Sequence, residues 1–220
     1  MATAAIFDID GTLVDTVDLH AAAWQRALHE FGHDLPYDAV RAQIGKGGDQ
    51  LLPVFLSGTE LARRGDEIEA HRGAIFRRDY LPQARAFPQT RALFERVRAA
   101  GTRIALASSS PGEELGRYKR LAGIEGLVDV EVSKDDVAHS KPAPDVFAGA
   151  LEKLGLPAGA CVAIGDTPYD AQAAGKLGLP IIGVLCGGFP EPLLRKAGCC
   201  AIYRDPADLL TNYETSPLAR

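Results

Sequence analysis

The stretch FDIDGTLVDT, residues 7–16, decides how this chain is read. Ala4, Ala5, Ile6 and Phe7 form a short apolar run halted by a turn signal at Gly11, which is the pattern of a buried strand. Side chains two apart on a strand point the same way, so Asp8 and Asp10 are expected to face one space. Like charges that close repel, and one loses its charge unless a cation or ligand offsets them. The pair asks for a partner.

The 220 residues suit one sizeable domain, or one core with a smaller insert. Hydrophobic residues make up 46% and charged ones 24%, the balance of a globular chain rather than a disordered one. Lys and Arg number 24 against 29 Asp and Glu, a formal net charge of -5. That mild acidity leaves no nucleic-acid footprint, which needs a basic stripe. No run is long and apolar enough to span a bilayer, so no membrane partner is expected. With Asp8 so near the start, no cleavable signal peptide is expected before it. Cys161, Cys186, Cys199 and Cys200 lack zinc-type spacing, and a disulfide framework is not expected at this length. These features imply a reduced, cytoplasmic protein, either a monomer or a small homo-oligomer.

Beyond the first strand, Val17, Ala21, Trp24, Leu28 and Phe31 recur at helical spacing, which predicts an amphipathic helix over 15–31 stopped at Gly32. A mostly helical stretch continues to about Leu81, broken by IGKGG and LSG, and residues 82–88 read as a return linker. The grammar then changes. TRIALAS, LVDVEVS, ACVAIGD and PIIGVLCG read as strands, with AIYRD as an edge strand. Helices are expected over 90–100, 113–121, 145–154 and 169–177, each followed by a glycine where a C-cap is wanted. Alternating strands and helices imply an α/β fold, a Rossmann-like parallel sheet with helices on both faces. Residues 1–14 and 83–220 would form this core, and 15–82 a helical cap inserted after the first strand. The polar tail TNYETSPLAR reads as loosely held.

Open parallel sheets bind ligands beyond the carboxyl ends of their strands. Those ends carry Asp8 and Asp10, then Ser108, then Asp166 with Asp170 after it. Four carboxylates are too costly to bury unpaired. Their hard oxygens suit Mg²⁺, which takes one or two protein carboxylates together with phosphate oxygens and water. Lys141 in SKPAPD offers a positive charge. Ser108, Ser109 and Ser110 open a loop before a helix start, where hydroxyls and N–H groups suit a phosphate. The set reads as phosphoryl-transfer equipment, with one carboxylate as nucleophile and another as general acid and base.

FDIDGT, the Ser108 strand end, Lys141 in SKPAPD and GDTPYD resemble, in order, the four motifs of the haloacid dehalogenase superfamily. The resemblance runs from Ile6 to about Cys186. It implies that Asp8 is the nucleophile and a magnesium ligand. Asp10 would be the acid/base and ligate the metal through its backbone carbonyl. Ser108, Ser109 and Lys141 would hold the phosphoryl group, and Asp166 and Asp170 would complete the metal shell. The insert resembles the family's small helical cap. Dehalogenases and phosphonoacetaldehyde hydrolases of the superfamily lack the second aspartate, and Asp10 is present here. The expected activity is therefore Mg²⁺-dependent hydrolysis of a small phosphorylated metabolite, of sugar phosphate or phosphoglycolate type.

Two other readings stand beside it. Thr16, His20 and Trp24 match a pattern shared with β-phosphoglucomutase, which carries a cap arginine near its lysine–glycine pair, whereas GKGGDQ has Asp49 there. The fold could also serve as a phosphate-binding or regulatory module without turnover, a reading that loss of Asp8 or Asp10 would have favoured. In the cap, Lys46 between glycines is a candidate substrate contact or part of a surface hairpin. His20 points to the site mouth or to solvent. Trp24 reads as cap core, and the adjacent Arg77 and Arg78 as water-facing.

Overall fold

Strand β1 (Ala4–Phe7) is buried at all four residues, as a central strand covered on both faces must be. In this computed structural model, which describes residues 2–219, β1 pairs in parallel with β4 (Arg103–Ala107) on one side and β6 (Cys161–Gly165) on the other. The sheet continues through β5 (Val130–Val132) beyond β4, and through β7 (Ile181–Val184) and β8 (Ala201–Tyr203) beyond β6. The order β5-β4-β1-β6-β7-β8 reverses direction at β1, so the crevice at its carboxyl end opens between β4 and β6. As expected, β8 is an edge strand.

Alternate β1 side chains enter two apolar layers. Ala5 and Phe7 join Ile104, Leu106 and Ile164 beneath α5 (Thr90–Ala99) and α6 (Gly112–Ala122). Ala4 and Ile6 join Ala105, Ala107 and Ala163 beneath α7 (Asp145–Leu154) and α8 (Pro168–Gly175). The helices fall within about two residues of their sequence-based bounds. Sequence reading passed over α9 (Glu191–Ala197) and α10 (Pro206–Thr211), both too short to show a clear period.

The insert folds as α1 (Val17–Glu30), α2 (Tyr37–Arg41), α3 (Gly48–Phe55) and α4 (Gly58–Ile75) around a separate apolar cluster that includes Trp24, Leu28, Val40, Leu51 and Ile68. The expected return linker holds an ordered pair instead. Arg85–Ala86 (β3) runs antiparallel to Val14–Asp15 (β2), tying the strand that enters the insert to the one that leaves it. Two-residue strands carry no readable alternation. The tail also differs from expectation, because Tyr213, Ser216 and Leu218 are buried against the core; Arg220 lies outside the described residues. Among the described residues, no helix is long and apolar enough to cross a membrane.

Candidate active site

The turn after β1 places the first carboxylates. Gly11 has φ of 82°, and a Cβ there would strike the Asp166 carboxylate and stand 2.6 Å from Val17 Cγ2. Only glycine allows so close a return of the backbone over Asp166. Asp8 is 6% exposed. Its Oδ1 accepts from Lys141 Nζ at 2.5 Å, and its Oδ2 from Thr12 Oγ1 at 3.2 Å. Lys141, 1% exposed, also donates to the Ala107 carbonyl at 2.8 Å and lies 2.8 Å from Asp170 Oδ1. Thr12 reaches Asp166 Oδ1 at 3.0 Å. Asp170 Oδ2 is occupied by the start of α8, accepting from the Thr167 N–H at 3.0 Å and hydroxyl at 2.6 Å. Asp8, Lys141 and the Asp166–Asp170 pair thus converge from three separate segments.

Burial pushes Asp8 up to about 7, with the Asp170 and Asp10 charges adding to it and the Lys141 ammonium only partly opposing it. Asp166 is driven well above the usual carboxylate range by burial and by the Asp170 and Asp8 charges. Oxygens of Asp8, Asp166 and Asp170 lie within 4.8 Å of one another, and Asp166 Oδ2 is buried with no hydrogen-bond partner. Three hard oxygen ligands, one of them orphaned, fit a divalent cation that would supply the missing charge.

Asp10 stands apart from that cluster. Its Oδ1 accepts from Thr16 Oγ1 at 2.7 Å and faces His20 Nε2 at 2.9 Å, and its Oδ2 accepts from Ser110 Oγ at 2.7 Å. Burial alone would raise its pKa. The pull and hydrogen bond of His20, with those of Thr16 and Ser110, outweigh burial and hold Asp10 well below the usual range. Arg72 Nη1 lies 3.5 Å from His20 Nδ1. An ionised carboxylate only accepts, so His20 Nε2 is the donor toward Asp10. Tyr118 Oη, 3.3 Å from Nε2, and the Phe76 ring, stacked at 4.0 Å, hold the imidazole in place.

A cavity of about 30 Å³ lies above, lined by Asp8, Asp10, His20, Lys46, Arg72 and Ser109 among others. It has room for about two waters. His20 and Lys46 line this cavity, and Trp24 is both cap core and cavity wall. Lys46 Nζ donates to Gln43 Oε1 at 2.6 Å and sits 4.7 Å from the Tyr169 ring centre, its pKa lowered by burial. Of the serines, Ser109 lines the cavity with a buried hydroxyl lacking a partner, whereas Ser108 Oγ accepts from the Ser110 N–H at 3.0 Å.

Asp49 does not line the cavity. Its carboxylate turns to the core, where Oδ2 accepts from the Ser140 N–H at 3.0 Å, so it is not placed to repel a second phosphate. Arg77 and Arg78 are exposed as expected. A second cap cation at the site, beside Lys46, is Arg72, buried over Trp24 at 4.8 Å. No local sequence signal marks it, because its role depends on how α4 packs against α1. Thr12 was visible within FDIDGT, though its bridge from Asp8 to Asp166 needed the fold.

The family model "Hydrolase: haloacid dehalogenase-like hydrolase" matches residues 2–178. The chain is 31% identical to phosphoglycolate phosphatase of Cupriavidus necator, over 99% of this chain and 96% of that protein. It is 29% identical to phosphorylated carbohydrates phosphatase of Thermotoga maritima, over 94% and 96%. Among solved structures, a hydrolase from Pseudomonas syringae superposes with a TM-score of 0.90 at 29% identity, covering 97% of this chain and 98% of that one. With its motif residues gathered at the ends of β1, β4 and β6, the chain belongs to the haloacid dehalogenase-like hydrolases and is a phosphatase of that family.

Proposed function

We propose that the protein is a Mg²⁺-dependent phosphatase for a small phosphorylated metabolite, of phosphoglycolate or sugar phosphate type, working through an aspartyl phosphate on Asp8. The observation that carries this reading is the buried Asp8–Lys141 pair beside two further carboxylates, Asp166 and Asp170, the first with an unpartnered oxygen. Asp8, Asp166, Asp170 and the Asp10 carbonyl would hold the cation, which would supply positive charge to offset the carboxylates and the substrate's phosphate. Asp8 attacks phosphorus, and the ester P–O bond breaks. Once it exchanges Thr16, His20 and Ser110 for the leaving oxygen, Asp10 would lose the contacts that keep it ionised, take up a proton from solvent and pass it to that oxygen. It then takes a proton from the water that attacks phosphorus, and the bond to Asp8 breaks to release inorganic phosphate. Lys141, Ser109 and the Ser108 turn hold the phosphoryl oxygens.

Residues 15–82 act as a cap that closes over the site and excludes water, with the β2–β3 pair as its hinge. From the cap, Lys46, Arg72 and His20 face the substrate's other end. Two cations suit a second anionic group, and the small cavity favours a short one such as a carboxylate. Four free thiols support a cytoplasmic setting for this reaction.

The test is phosphate release from a panel of phosphomonoesters including phosphoglycolate, with Mg²⁺ and after exhaustive chelation. Steady, metal-dependent release without a bisphosphate primer is expected. Conversion of glucose 1-phosphate to glucose 6-phosphate much faster than free phosphate appears, given trace glucose 1,6-bisphosphate, would instead make it a mutase.

A further inference from the structure

The insert bonds to the core at the start of α8, at the Gly187 turn and at Lys134. Tyr169 Oη donates to the Ala42 carbonyl at 2.6 Å, Arg41 Nη2 donates to the Gly187 carbonyl at 3.2 Å, and Lys134 pairs with Glu69. Gly45 and Gly47 lie at the seam itself. A Cβ at Gly45 would stand 2.6 Å from Thr167 Cγ2, and one at Gly47 would overlap Ser140 Oγ. At this seam the Ser140 N–H donates to Asp49 Oδ2. An acid in the first turn of a helix ordinarily serves that helix's own free N–H groups. Asp49, in the first turn of α3, is hydrogen-bonded to Ser140 of the core and to the Gln50 side chain, and its Oδ1 is buried without a partner.

Ser140 is the residue before Lys141, and it is 1% exposed. Lys141 must meet Asp8, Asp170 and the Ala107 carbonyl with one ammonium, so small shifts of its backbone misplace the charge on the reacting phosphate. We propose that Asp49 is a positioning residue: with the cap closed, its carboxylate takes the Ser140 N–H and sets the backbone that aims Lys141. The cap then does more than exclude water. It completes the phosphoryl site through one hydrogen bond, and an open cap leaves the lysine loop slack.

The proposal rests on the phosphatase reading, which turnover of para-nitrophenyl phosphate by the parent enzyme tests by itself. Asp49→Ala should lower kcat for that ester about tenfold while changing KM less than threefold. Asp49→Asn keeps an acceptor oxygen and should stay within about twofold of the parent. Parent-like kcat in Asp49→Ala, or equal losses in both variants, would overturn the proposal. A second measurement needs no variant. The Ser140 amide should exchange slowly with solvent hydrogen in the parent protein, and more slowly still with Mg²⁺ and orthovanadate bound. Exchange at the rate of an exposed loop in both states would refute the link even if Asp49→Ala did not fold.

Discussion

Burial works against the charge on Asp8, and Lys141 at 2.5 Å offsets only part of that cost. The sign of the consequence is fixed. A carboxyl whose pKa is higher in the folded chain than in the unfolded one stabilises the fold fully below the unfolded pKa, near 4, and that contribution is lost as pH rises towards 7. Asp8→Asn removes the titration but keeps an acceptor for Lys141. The metal-free parent should therefore lose melting temperature relative to Asp8→Asn between pH 5 and pH 7.5, and Mg²⁺ should restore more at the higher pH, because the cation competes with protons. Parallel melting curves for the two proteins across that range would contradict the assignment. Asp8→Asn should also abolish phosphate release, since an amide is no useful nucleophile toward phosphorus.

At the scale of elements, α8 shows how a helix start serves chemistry. Thr167 Oγ1 accepts from the Asp170 N–H at 3.1 Å while Asp170 Oδ2 accepts from Thr167, a reciprocal capping box. The same carboxylate thereby turns its other oxygen to Lys141. Gly165 leaves room for it, since a Cβ there would stand 2.6 Å from Asp170 Cγ. Thr167→Ala should cost about 1 kcal/mol of stability, typical of a lost N-cap. It should weaken metal binding as well, because Asp170 loses the partner that orients it. Chemical denaturation and Mg²⁺ titration of activity would measure the two effects, and unchanged metal affinity would mean that the cap is structural alone.

For the whole molecule, the insert brings Lys46 and Arg72 to a cavity whose floor is acidic. Arg72→Ala or Lys46→Ala should raise KM for phosphoglycolate about tenfold or more, in line with losing a charge-assisted contact. Either change should alter KM for para-nitrophenyl phosphate, which has no second anionic group, much less. Equal effects on both esters would remove these residues from substrate recognition.

FDIDGT, SKPAPD and GDTPYD were legible because strand ends, glycine turns and acid spacing are local. The parallel sheet followed from alternating apolar runs and glycine stops, and the insert from helical periodicity without strand pattern. Local sequence could not show which oxygens remain free. That Ser109 rather than Ser108 lines the cavity depends on the fold, and that Ser110 holds Asp10 and Asp49 bonds Ser140 depends on segments tens of residues apart. Arg72 likewise meets His20 only through packing of α4 on α1, and Tyr118 only through packing of the insert on the core. Short β2 and β3 and the buried tail were missed for a related reason: two-residue strands and single anchors such as Leu218 gain their stability from what they pack against. The chain's own residues determined the chemistry available, because charge, hydroxyl and turn propensity belong to single side chains. Tertiary structure alone decided which groups were desolvated together, and desolvation is what makes Asp8 and Asp166 demand a cation.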